Sequence, residues 1–147
     1  MRTKHILFVL LLGIVAVSCR RKNEEIKPVA DPVAGKGGNT QLRVVTKHFE
    51  KVIDTGTVYL RYNTAITQQD MRADDSGNIK FQNGNYMVVF DSLKRGNYYF
   101  FVRARDFKYT TPNDSLFGYG SFMVVDTIKQ IHDVNINVRN WGNVYNP

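Results

Sequence analysis

Hydrophobic and polar positions divide the 147-residue chain into three stretches of different rhythm. Behind Arg2 and Lys4, residues 6–17 form an unbroken apolar run. From Arg20 to Asn39 the sequence RRKNEEIKPVADPVAGKGGN has no apolar period and is interrupted by Pro28, Pro32, Gly35, Gly37 and Gly38. That composition predicts a flexible tether. From residue 40 onward, short runs of Val, Tyr, Phe, Ile and Thr are separated by Gly, Asn and Asp, the pattern of antiparallel strands. Seven strands are predicted, over 41–48, 57–62, 79–82, 86–91, 98–107, 120–126 and 132–138, and no stretch carries helical spacing.

Alternation assigns faces to these strands. Leu42, Val44 and Thr46 oppose Arg43 and Val45, and Val58, Leu60 and Tyr62 oppose Tyr59 and Arg61. Val134, Ile136 and Val138 alternate with Asn135, Asn137 and Arg139, so one side turns inward and the other meets water. In the run 98–107, Tyr98, Phe100, Val102 and Ala104 are the predicted core face, with Tyr99, Phe101, Arg103, Arg105 and Phe107 opposite. The fold class that follows is all-β: a single antiparallel seven-stranded β-sandwich over 40–139, with a C-terminal tail at 140–147.

The order of features carries a resemblance. Thr57-Val58-Tyr59-Leu60, the turn Asp74-Asp75-Ser76-Gly77-Asn78, the run from Phe90 through Leu93 and Gly96 to Tyr98, and the closing Val134-Asn135-Ile136-Asn137-Val138 resemble carboxypeptidase-regulatory-like domains. These are transthyretin-like (prealbumin-like) sandwiches, close in architecture to Ig-like ones. Physically, Phe90 and Leu93 can cap the core, Gly96 permits the turn, and Tyr98 opens a long central strand.

The first stretch changes how the composition is read. A charged start followed by 12 apolar residues is a secretory signal, shorter than the ~20 residues needed to span a bilayer as a helix. Its end, Ala16-Val17-Ser18-Cys19, resembles the bacterial lipobox, which implies removal of 1–18 and lipidation of Cys19 as the mature N-terminus. Residues 19–39 are then the lipidated Cys and its tether. Cys19 is the only cysteine, so no internal disulfide is available to it. Loss of Arg2 and Lys4 with the leader lowers the formal charge from +7 to +5, with only 13 basic against 10 acidic side chains from residue 40 onward. Dispersed charge and an envelope address together argue against nucleic acid as a partner.

Catalytic motifs are missing: no G-x-S-x-G, H-E-x-x-H or phosphate loop occurs. His48 and His132 read as exposed residues at strand ends. The chain is therefore expected not to be an enzyme and to use no cofactor. Asp70, Asp74, Asp75 and Asn78 are a lesser candidate for calcium, because Asp-Ser-Gly-Asn is what a tight turn requires and the EF-hand order is not met. The candidate binding residues are Tyr99, Phe101, Arg103 and Arg105, joined by Tyr109, Tyr119 and Trp141 from the following loop and the tail. Rings stack on sugars and guanidinium supplies directed donors, while the competing expectation is a strand buried on both faces.

The role these readings imply is a lipid-anchored envelope protein, at the outer membrane through its N-terminal lipid. It would act as a non-catalytic binding or accessory module for a glycan or an envelope protein partner. The alternative is a structural or assembly subunit that pairs through an exposed sheet edge and takes no small-molecule ligand.

Overall fold

The computed structural model describes residues 33–67, 70–109, 114–125, 128 and 130–140. Cys19 and its leader, most of the tether and Trp141 lie outside them. The described residues contain no helix and form ten strands: β1 (Lys36–His48), β2 (Lys51–Val52), β3 (Gly56–Tyr62), β4 (Asp75–Asn78), β5 (Lys80–Gln82), β6 (Asn85–Leu93), β7 (Gly96–Arg105), β8 (Ser115–Val124), β9 (Ile131–Asn137) and β10 (Arg139–Asn140). β1 begins inside the stretch expected as tether. Asp75–Asn78, read as a turn, is a short strand on β3, and β8 starts five residues before its expected position.

Two sheets result. In the first, β1 pairs with β6 on one edge and with β9 on the other, and β5 extends it beyond β6. Carbonyls alternate between the edges of a strand. Thr46 O receives Ile53 N at 2.9 Å while Lys47 O receives Val138 N at 2.8 Å, so the β2 hairpin lies on β6's edge of β1. In the second sheet the order is β10-β8-β7-β3-β4, with β7 central. The expectation of antiparallel pairing throughout is corrected at one place: β1 and β9 run parallel, Gln41 opposite Ile131 through Lys47 opposite Asn137.

The inner faces share one core. Leu42, Val44, Phe90, Leu93, Val134 and Ile136 of the first sheet meet Val58, Leu60, Tyr98, Phe100, Val102 and Leu116 of the second. The Phe90 and Phe100 rings lie 6.3 Å apart across the layers. This is a β-sandwich-like arrangement, and the inward face expected for β7 is the buried one. Where the sheets converge beside β8, bulk is excluded: a Cβ at Gly118 would come within 2.7 Å of Asn137 O and 2.8 Å of Val138 Cγ1.

At one pole of the sandwich Tyr98 is fully buried. Its hydroxyl donates to Lys94 O at 2.6 Å and receives Gly35 N at 3.2 Å. Gly96 sits there at φ +138, its missing side chain leaving room for Ala34. At the other pole the β1–β2 turn places Phe49 at φ +53, a region bulky residues rarely enter, and leaves it 77% exposed.

Candidate ligand-binding face

The outer side of the second sheet is assembled by register. Thr57 of β3, Arg103 of β7 and Phe117 of β8 form one row. The next row is Tyr59, Phe101 and Tyr119, and the next Arg61, Tyr99 and Ser121. Each of these positions alternates with an inward-facing core residue, so the placement follows from the pleat. Of the sequence-derived candidates, Tyr99, Phe101, Arg103, Arg105 and Tyr119 thus share one surface.

Phe101 is the centre of it. Its ring stacks on Tyr59 (6.0 Å, 27°) and Phe117 (6.2 Å, 21°) and tilts against Tyr119 (5.0 Å, 38°). These neighbours bury it, although it points away from the core, whereas Tyr119 is 47% exposed. β7 is therefore apolar on both sides at this point. The second layer is three rings from flanking strands, and no further element covers it among the described residues.

The guanidiniums on this face differ in their partners. Arg61 Nη1 donates to Asp70 Oδ2 at 2.9 Å. Arg105 Nε donates to the buried Asp114 at 2.8 Å, and its carbon lies 5.2 Å from the Phe107 ring centre. Arg103 is exposed, and among the described residues no side-chain hydrogen bond, ion pair or ring contact engages its guanidinium. It lines a groove of about 330 Å³ with Thr55, Gly56, Thr57, Tyr59, Ser115 and Phe117 among the walls. Ligand pockets characteristically combine apolar walls with a few placed polar groups.

Tyr109 does not join this face. It packs edge-on against His48 (5.7 Å, 65°) near the β1–β2 turn. His48, expected at the surface, is 4% exposed, with Nδ1 3.4 Å from Asp106 Oδ2. Lys51 Nζ donates to Asp106 Oδ1 at 2.7 Å, and this bond, before the lesser ones from Lys108 N and His48, holds the Asp106 carboxyl down to about 2. His132 is half-buried against Phe122 (5.2 Å).

The oxygen-bearing candidates for calcium are separated by their own bonds. Asp70 is taken by Arg72 and Arg61, which hold its carboxyl well below the usual range. Asp74 receives Tyr62 N at 2.7 Å, Asp75 pairs with Lys36 at 2.7 Å, and Asn78 receives the Thr57 hydroxyl at 2.9 Å. Among the described residues no group of three His, Cys, Asp or Glu side chains is arranged to hold a metal.

Two residues of the face, Tyr59 and Phe117, escape a motif-based reading. Tyr59 was legible in principle, since it opposes Val58 and Leu60 in the alternation. Phe117 was not, because it falls in the run 108–119, where Pro112, Asn113 and Gly118 look like a loop. The chain matches no protein-family model, no curated protein and no solved structure.

Proposed function

We propose that the protein is a lipid-anchored module of the cell envelope, held at the outer membrane through Cys19, that binds a glycan on the outer face of its second sheet. The observation that carries the reading is the ring cluster around Phe101. A solvated sheet face ordinarily alternates to polar residues. Here Tyr59, Phe117 and the half-exposed Tyr119 present flat apolar surface beside hydroxyls and a guanidinium, the composition that sugar C–H faces and hydroxyls complement. The transthyretin-like reading of the domain is part of the proposal. It is supported by the burial of Phe90, Leu93 and Tyr98 and by the positive φ of Gly96. No reaction is assigned to the protein.

The test is a panel of envelope and plant oligosaccharides titrated into the full-length protein in detergent, alongside Tyr119→Ala. Binding by wild type that weakens at least tenfold in the variant, with Tm unchanged, supports the reading. Equal binding by both, or none at all, overturns it.

A second reading has its own observation. Beyond Phe117 no described strand pairs with the outer edge of β8, and Met123 (56%) and Val125 (60%) are exposed beside it. An open edge of this kind accepts a partner strand. Slowed amide exchange over 118–124 in a complex with an envelope protein would favour it.

A further inference from the structure

We infer that the glycan taken by this face is acidic, and that Arg103 receives its anionic group. The inference rests on the glycan-binding reading above and specifies the ligand within it.

Arg103 stands at the middle of the sheet, with Thr57 on one side and Phe117 on the other. On the same face Arg105 is paired with Asp114, and across the sheet Arg61 is bonded to Asp70, which it shares with Arg72. Evenly distributed pairing would leave a solvated, charge-balanced face. Instead Arg103, which lines the groove between Tyr59 and Phe117 beside the Asp114-paired Arg105, has no hydrogen-bond or ion-pair partner for its guanidinium among the described residues. A planar fork of N–H groups matches a carboxylate or sulfate oxyanion in bidentate fashion. The rings on either side give the ligand's apolar face something to lie on, and Ser115 and Thr57 add hydroxyls. A second guanidinium, Arg139 on β10, stands opposite Phe117 in register, two strand spacings or about 10 Å from Arg103. A polymer with repeating anions can engage both.

The chemistry shared by uronate carboxylates and sulfate esters is an oxyanion on a pyranose ring. An acidic peptide would offer carboxylates without flat rings, and it would gain nothing from Tyr119. The face, unlike the β8 edge, displays no free main-chain groups with which a peptide could pair.

The experiment titrates the full-length protein in detergent with three probes: an oligogalacturonate, a sulfated oligosaccharide with its desulfated counterpart, and a neutral cello-oligosaccharide. A poly-glutamate peptide is run beside them, and Arg103→Gln, Arg103→Lys and Tyr119→Ala are compared with wild type. The expected result is preference for a uronate or a sulfate ester, falling as salt rises. Arg103→Gln should weaken it by roughly ten- to a hundred-fold, Arg103→Lys should recover part, and the neutral sugar should be indifferent to either. Arg103 is exposed, so Tm should not move. Loss with the desulfated probe identifies the sulfate as the group recognised, and retention of oligogalacturonate identifies the carboxylate. Neutral sugars bound as tightly as acidic ones, sensitive to Tyr119→Ala but not to Arg103→Gln, would overturn the inference and leave the glycan reading standing. Preference for the peptide, or binding of no probe, would overturn both.

Discussion

Lys51 Nζ stands 2.7 Å from Asp106 Oδ1, joining the hairpin that follows β1 to the end of β7 and so tying one sheet to the other. The Asp106 side chain is 2% exposed and Lys51's is 56% exposed, so a buried carboxylate is met by a cation reaching in from water. Unfolding returns the carboxyl from about 2 to its ordinary 3.8. The contribution is therefore present above about pH 4 and disappears as pH falls towards 2, and it is on the order of 2 kcal/mol. Urea unfolding of wild type and Asp106→Asn between pH 2.5 and 6 should show curves that converge at the acid end. A constant difference across that range would contradict the assignment.

Phe101 and Tyr119 touch at 5.0 Å but should behave in opposite ways. Phe101 is 2% exposed, so Phe101→Ala removes a ring packed on three neighbours and should cost about 3 kcal/mol. Tyr119, half in water, should cost under about 1 kcal/mol on truncation while carrying the effect on ligand. Thermal unfolding of the two variants decides this. A Tyr119→Ala variant as unstable as Phe101→Ala would make the cluster purely structural.

Tyr98→Phe keeps the ring in the core and deletes only its hydroxyl, leaving Lys94 O and Gly35 N without that partner. A loss of about 1 to 2 kcal/mol is expected. Amide exchange at Gly35 should accelerate well before exchange at β7, because the hydroxyl ties the start of β1 to the 93–98 turn. Exchange confined to β7 would show that the tie is elsewhere.

Two glycines at positive φ provide a matched pair. An alanine Cβ at Gly84 (φ +81) meets nothing within 4 Å, whereas at Gly96 (φ +138) it runs into the Ala34 backbone. Gly84→Ala should cost about 1 kcal/mol of backbone strain alone. Gly96→Ala adds a steric clash and should cost clearly more, detaching the 34–36 segment. Equal Tm shifts would mean that Ala34 yields freely.

Alternation proved a sound guide to which side of each strand is buried: Val58 and Leu60, the β7 series from Tyr98 to Ala104, and Val134 and Ile136 all point inward as their spacing requires. It says nothing about partners, so the parallel pairing of β1 with β9 was invisible. Glycine misled where it serves packing rather than turning: Gly118 read as loop, yet lies in β8 because the other sheet approaches it closely. A histidine at a strand end reads as exposed. His48 is buried because Asp106 and Tyr109 arrive from 58 and 61 positions away, which no local pattern reveals. The ring cluster was half legible for the same reason: Phe101 and Tyr119 announce themselves, while their convergence with Tyr59 and Phe117 depends on register.

The parallel β1–β9 pair has a directional consequence. Because the first long strand and the last long strand run the same way, the backbone enters the sandwich beside Ala34 and Gly96 and departs at the opposite pole, beside Lys47 and Asn137. The groove at Thr55, Arg103 and Ser115 belongs to the departure pole, along with Lys51 and Asp106. The Arg103 groove therefore lies toward the pole of the sandwich opposite Ala34 and Gly96.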